Sequence, residues 1–233
     1  AAACLAGFTF AQDAPLWMRH SVISPDGTTI AFTYKGDIYT VPVAGGRAMQ
    51  ITTNPAYDTA PVWSPDSKRI AFASDRMGSL DVYIVAKDGG EPRRLTTHSG
   101  SETPLAFTDA GHVLFSAGIM PSAEAVVFPS NGQFNQVYRV SVEGGRPTMI
   151  SSMPMECISI NKEGAMLYQD KKGYEDYWRK HHVSPIARDI WMYTPGKEPQ
   201  YRQLTTFGGE DREPVWAPDG KTFYYLSEEN GSF

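Results

Sequence analysis

The sequence predicts an all-β fold: a β-propeller of four-stranded antiparallel blades, with about four repeats plus part of a fifth in an incomplete ring. Three observations carry this reading. A tight polar turn followed by a strand-sized apolar run occurs five times, the landmarks after each turn keep one order, and no ten-residue stretch has a helical period. The 17 Pro and 21 Gly also argue against long helices.

The turns come first. Ser24-Pro25-Asp26-Gly27 leads into Ile30-Ala31-Phe32, Ser64-Pro65-Asp66-Ser67 into Ile70-Ala71-Phe72, and Ala217-Pro218-Asp219-Gly220 into Phe223-Tyr224-Tyr225. Weaker copies are Thr108-Asp109-Ala110-Gly111 before Val113-Leu114-Phe115 and Asn161-Lys162-Glu163-Gly164 before Met166-Leu167-Tyr168. The turn recurs at 27, 67, 111, 164 and 220, spacings of 40, 44, 53 and 56 residues, which bracket the period of a four-stranded blade. Asp26, Asp66 and Asp219 resemble ligands in isolation, but in a turn a carboxylate bonds the backbone amides that follow it.

The next landmark is Asp37-Ile38-Tyr39, Asp81-Val82-Tyr83, Gln136-Val137-Tyr138 or Asp189-Ile190-Trp191. Glycine pairs at 45–46, 89–90 and 144–145 follow in three units, where hairpin turns need the positive φ that glycine adopts cheaply. A third strand reads Gln50-Ile51-Thr52-Thr53, Arg94-Leu95-Thr96-Thr97, Met149-Ile150-Ser151-Ser152 and Gln203-Leu204-Thr205-Thr206. A fourth enters the next unit through Ala60-Pro61-Val62-Trp63 and Glu213-Pro214-Val215-Trp216. Within the runs Ile30, Phe32 and Tyr34 alternate with Ala31 and Thr33, and Ile70 and Phe72 with Ala71 and Ala73. One face is bulky and the other small, which suits sheets stacked face to face.

The 21 basic and 26 acidic residues give a net charge of −5, so the chain has no general attraction to nucleic acid or anionic membranes. Residues 1–11 read as the remnant of a signal peptide, with Thr9-Phe10-Ala11 before Gln12 resembling a cleavage site, which implies export to a periplasm or the exterior. That stretch is too short to span a bilayer. Residues 12–233 read as the propeller domain, cut at its C-terminal end within the hairpin-like 227–233. Cleavage at Ala11 would leave Cys157 as the one cysteine, expected as a buried, inert thiol in the strand-like 156–160.

The Ser-Pro-Asp-Gly turn, the Ile-Ala-Phe run, the Asp-Ile-Tyr strand and the Leu-Thr strand resemble the TolB-type repeat. Tol-system propellers, tricorn-type peptidases and prolyl-oligopeptidase relatives share that repeat. The segment Tyr174-Glu175-Asp176-Tyr177-Trp178-Arg179-Lys180-His181-His182, with Ser184 and Arg188-Asp189-Ile190-Trp191-Met192-Tyr193, is similar to the amino-terminal propeller of bacterial tricorn-like serine peptidases. The resemblance covers residues 14–233. It implies a parent in which propellers precede a PDZ-like module and catalytic domains of the same polypeptide, a peptide or protein substrate, and a propeller that guides substrate or scaffolds the assembly. A homo-oligomer is compatible with it. No catalytic residue, metal or other cofactor is carried over to this chain. Two other readings stay open: a stand-alone TolB-like binding propeller, and the propeller of a prolyl-oligopeptidase-type enzyme.

The sequence contains no Gly-x-Ser-x-Gly elbow, His-Glu-x-x-His pair or phosphate loop. Two inserts interrupt the repeats, at 118–134 and 169–187, and the first suggests no role. The second places Lys171, Lys172, Arg179, Lys180, His181 and His182 beside Tyr174, Tyr177 and Trp178. A basic and aromatic loop on a rigid scaffold suits contact with a peptide carboxylate or a neighbouring domain, and Tyr174, Trp178, Arg179, His181, His182 and Arg188 are its candidate contacts. The plainer reading is that the aromatics fill the insert's own small core and the charges are solvated. For the adjacent histidines, which face opposite ways in an extended chain, surface or inter-blade hydrogen bonding is favoured over metal binding. Asp75-Arg76 and Arg188-Asp189 read as structural pairing near strand ends.

Overall fold

Each polar turn folds its two flanking apolar runs into an antiparallel hairpin, because the Asp carboxylate caps the backbone it turns around. In the computed structural model, which describes residues 17–118, 135–173, 183–231 and 233, Asp26 Oδ1 accepts the Thr28 amide at 3.0 Å. Asp66 Oδ1 accepts the Lys68 amide at 3.1 Å, and Asp219 Oδ1 accepts those of Lys221 and Thr222 at 2.9 Å. The Ser24 and Ser64 hydroxyls, donating to Asp26 and Asp66 at 2.6 Å, do most to hold those two carboxyls below their usual range, and the backbone amides do so for Asp219.

Among the described residues the hairpins extend into four sheets of four strands and one of two. The first sheet is β1 (Arg19–Ile23), β2 (Thr29–Tyr34), β3 (Asp37–Pro42) and β4 (Met49–Gln50). The second is β5 (Asp58–Trp63), β6 (Arg69–Ser74), β7 (Asp81–Ala86) and β8 (Arg93–Arg94). The third is β9 (Glu102–Asp109), β10 (His112–Ala117), β11 (Gln136–Ser141) and β12 (Thr148–Ser151). The fourth is β13 (Met155–Ile160), β14 (Met166–Asp170), β15 (Ile190–Thr194) and β16 (Gln200–Gln203), and the last pair is β17 (Asp211–Trp216) and β18 (Phe223–Ser227). Among the described residues every strand pairing is antiparallel in a meander, and the sheets do not close into a ring. The strand through Pro61 or Pro214 is therefore the first of its own sheet, one step out of phase with the unit boundaries drawn from sequence. The outer strands are shorter than expected, two residues each in β4 and β8.

Alternation decides which neighbour each side chain meets. Ile70, Phe72, Tyr83 and Val85 pack with Ala31, Ile38 and Ile51 of the first sheet, whereas Ala71, Val82 and Ile84 pack with Phe107, Val113, Phe115 and Tyr138 of the third. Leu114 and Val137 meet Met155, Met166 and Tyr168 of the fourth. The small residue expected on this face becomes leucine at 114 and 167, so the bulky-and-small rule holds for the first two sheets alone. Cross-strand aromatic pairs stiffen the blades. Phe32–Tyr39, Phe72–Tyr83 and Phe115–Tyr138 stack with centroids 5.7–5.9 Å apart.

The first strands of successive sheets pack against one another. Four of them carry a non-glycine residue in the left-handed region at one equivalent register: His20 (φ 50°), Ala60 (50°), Cys157 (52°) and Glu213 (51°). Each sits at a β-bulge, where the pairing slips by a residue. The bulge turns Cys157 to solvent, which corrects the expectation of a buried thiol. Protein still surrounds it, and that burial, with the Glu213 and Glu156 charges beside it, pushes the thiol up to about 11.

Candidate functional site: the insert-bearing end of the blades

The two ends of the array differ chemically. The polar turns and the glycine hairpins lie at one end, where the loops are short and tie adjacent blades together. The Asp26 amide donates to Ser67 Oγ at 3.1 Å, Asn161 Nδ2 donates to the Gly220 carbonyl at 3.2 Å, and Arg69 Nη2 donates to the Ala110 carbonyl. The opposite end carries the connection from second to third strand of each blade, which grows from Lys35-Gly36 in the first blade to 75–80 in the second. It reaches 118–135 in the third and 171–189 in the fourth. Both inserts leave from this end.

Of the six candidate contacts, Tyr174, Trp178, Arg179, His181 and His182 lie outside the described residues. Arg188 is buried at the foot of the insert, with Nη1 3.3 Å from both Glu210 oxygens and Nε 3.5 Å from Glu156 Oε2. Glu210 also accepts Arg212 Nε at 2.8 Å. Lys171 Nζ reaches Glu156 Oε1 at 3.1 Å, and Lys172 donates to Asp189 Oδ2 and, at 2.8 Å, to the Ala187 carbonyl. Burial raises the Glu156 carboxyl, but Lys171, Gln169 and Arg188 outweigh it and the net shift is downward. The Arg188 guanidinium therefore anchors the returning arm of the insert to the start of β17.

The same end holds a pattern that sequence reasoning missed. At three junctions the residue at the start of a third strand and the residue opening the next first strand are brought together by one recurring backbone bond. The Asp58 amide donates to the Gly36 carbonyl at 2.7 Å, that of Glu102 to Leu80 at 2.7 Å, and that of Asp211 to Arg188 at 3.0 Å. A hydroxyl completes the arrangement: Thr52, Thr96 and Thr205 accept the amides of Ile38, Val82 and Ile190 at 2.8–3.0 Å. Three blade junctions thus bring two acidic residues together, Asp37 with Asp58, Asp81 with Glu102 and Asp189 with Asp211, all of them buried except the half-buried Asp37. The junction between the third and fourth blades has Gln136 and Met155 instead. The recurrence of Asp at the third strand and Thr after the outer strand is the signal of this pattern in the sequence.

Arginine and lysine offset part of this buried charge. Arg76 Nη2 binds both Asp58 oxygens, Arg94 Nη2 lies 2.8 Å from Asp81 Oδ2, and Lys172 answers Asp189. These carboxylates have cationic neighbours within the protein, as buried charges require. Among the described residues, no group of three or more His, Cys, Asp or Glu side chains is arranged to hold a metal ion. No helix among them is long and apolar enough to cross a membrane.

Comparison with known proteins places this arrangement in a family. The chain is 24% identical over 220 residues to "Tricorn protease homolog 1" of Streptomyces coelicolor, covering 94% of this chain and 19% of that relative. It is 32% identical over 210 residues to the "Uncharacterized peptidase YuxL" of Bacillus subtilis, covering 85% of this chain and 27% of that protein. The chain thus spans less than a third of either relative's length. Two solved structures share the fold, each with a TM-score of 0.71 over 94% of this chain: the tricorn protease, at 19% identity and 21% of its length, and a putative TolB from Agrobacterium tumefaciens, at 16% identity and 73% of its length. Residues 15–233 match the family described as the tricorn protease N-terminal β-propeller domain, and the chain belongs to that family.

Proposed function

We propose that this chain is the non-catalytic propeller region of an exported tricorn-like serine peptidase, and that its insert-bearing end guides peptide substrate or docks the catalytic domains. The observation that supports this most is the family match over residues 15–233, which accounts for the described blades. The asymmetry of the two ends gives the reading its direction. One end consists of short turns committed to neighbouring blades, while the other carries both inserts. Tyr174, Trp178, Arg179, His181 and His182 are the contacts, Arg188 holds the insert's base, and no cofactor takes part. Catalysis belongs to PDZ-like and catalytic segments of the same polypeptide, which can assemble as a homo-oligomer outside the cytoplasm.

The test uses the full polypeptide. Replacing Arg179 and Trp178 by Ala should lower kcat/KM for long peptides by about tenfold, the equivalent of about 1.4 kcal/mol, and leave hydrolysis of a short chromogenic peptide unchanged. Unchanged turnover of both substrates, with assembly intact, overturns the contact role. Cell fractionation checks export, and recovery of the polypeptide in the cytoplasm contradicts it. The TolB likeness favours a second reading, a propeller that binds envelope proteins and catalyses nothing. A polypeptide without peptidase activity in any purified form would select it.

A further inference from the structure

The junction between the second and third blades departs from its two acidic counterparts in two ways. Arg94 stands where Gln50 and Gln203 stand in the first and fourth blades, at the position paired with Tyr83, Tyr39 and Trp191. Gln50 and Gln203 donate to Asp37 and Asp189 at 3.0 Å, and Arg94 turns the same way to Asp81. The second departure is Glu102, one methylene longer than Asp58 and Asp211. Its Oε2 accepts the Thr96 hydroxyl at 2.7 Å, whereas the Thr52 hydroxyl goes to Asp37. Oε1 of Glu102 and Oδ1 of Asp81 are buried with no hydrogen-bond donor against them. Asp81 and Glu102 are both fully buried, and one arginine faces the pair.

Two buried carboxyls that face one arginine and leave oxygens without a donor are charged together only at a high cost, and a proton kept by one of them removes it. We propose that Asp81 and Glu102 hold a single proton between them and form a pH-sensitive clasp joining the second blade to the third. Arg94 balances the one negative charge that remains. The other groups around the pair are few. The His98 ring, from the loop after β8, lies 3.6 Å from Glu102 Oε1. Arg76 and Asp58, which pair with each other, follow along β5 and β6, and Gln136 of the third blade is uncharged. Burial first, with the Asp81 charge beside it, pushes Glu102 up to about 7 against the opposing pull of the Thr96 hydroxyl and Arg94.

The sign follows from that direction. Glu102 keeps its proton in the folded chain at pH values where the unfolded chain has lost it, so folding takes up a proton between pH 4.5 and about 7. The clasp is complete below that window and is released as pH rises through it.

Amide exchange in the chain, corrected for intrinsic rates, provides the test. The Glu102 and Val82 amides, which donate to the Leu80 carbonyl and Thr96 Oγ1, should lose protection by up to tenfold per pH unit across the window and then level off. The Leu204 amide, bonded to Ile190 in the fourth blade, should not follow them. Glu102→Gln keeps the shape and the donor of the protonated acid, so it should abolish the pH dependence at Val82. Protection at Glu102 and Val82 that is independent of pH in the wild type, or an unchanged slope in Glu102→Gln, overturns the proposal. If Glu102→Gln does not fold, the carbon-13 carboxyl signal of Glu102 in the wild type gives the same decision. A titration near neutrality supports the clasp, and ionisation already complete at pH 5 refutes it.

Discussion

A single nitrogen of Arg76 binds both oxygens of Asp58, at 3.0 and 2.8 Å, and the carboxylate it binds has no exposed surface. The same guanidinium lies over the rings of Phe72 and Tyr83, 5.6 and 4.6 Å from their centroids. Arg76 thus closes the junction between the first two blades electrostatically and caps an aromatic stack. Arg76→Ala leaves a buried, uncompensated charge and should cost about 3–5 kcal/mol in urea unfolding. Replacing both members, Arg76→Met with Asp58→Leu, should recover much of that loss.

Phe72 has no exposed surface and stacks on Tyr83 within the cluster shared with the first blade. Truncation to Ala should cost about 3–5 kcal/mol by lost transfer energy and cavity formation. The equivalent residue in the last hairpin, Tyr225, is 39% exposed, and Tyr225→Ala should cost well under half as much. Comparing the two unfolding midpoints at equal slope checks this.

Most of the fold was legible because it rests on local chemistry repeated five times. The turn Asp, the hairpin glycines and the period-two runs each act over a few residues, so their pattern survives in the linear sequence. The phase of the sheets was not, since whether Val62 belongs with Phe32 or Phe72 depends on pairing between distant strands. Cys157 was misread for a related reason. Strand alternation predicts its side only if the pairing register is unbroken, and the bulge breaks it at that residue. The acidic junctions were hidden because Asp58 and Asp37 meet by topology rather than by spacing.

Ser67 occupies the turn position where Gly27 and Gly220 stand, with φ at 57°. A non-glycine residue there costs about 1 kcal/mol, and the hydroxyl offsets it by accepting the Asp26 amide of the preceding blade. Ser67→Ala keeps the strain and loses the bond, so it should destabilise by about 1 kcal/mol. Ser67→Gly loses both and should be close to neutral. Thermal melts of the pair decide between this account and simple packing.

The turn carboxyls predict an acid limb. Asp26, Asp66 and Asp219 are held below their ordinary range by hydroxyl and backbone donors, so their contribution is present above about pH 4 and is lost as pH falls through their lowered values. Asp66→Ala should make the decline of Tm between about pH 4 and 2 shallower than in the wild type. An equally steep limb in the variant would assign that decline to other carboxyls.

The unequal ends also govern how this protein can change over evolutionary time. A residue added to a polar turn would separate Ser67 from Asp26, or Asn161 from Gly220, and so unfasten two blades at once. Residues added between a second and third strand disturb neither partner, because each strand end is held by the blade beside it rather than by its own loop. Lengthening is therefore selectively cheap on one rim alone, and new specificities should accumulate there, with the other rim conserved in length as the hinge pins of the array.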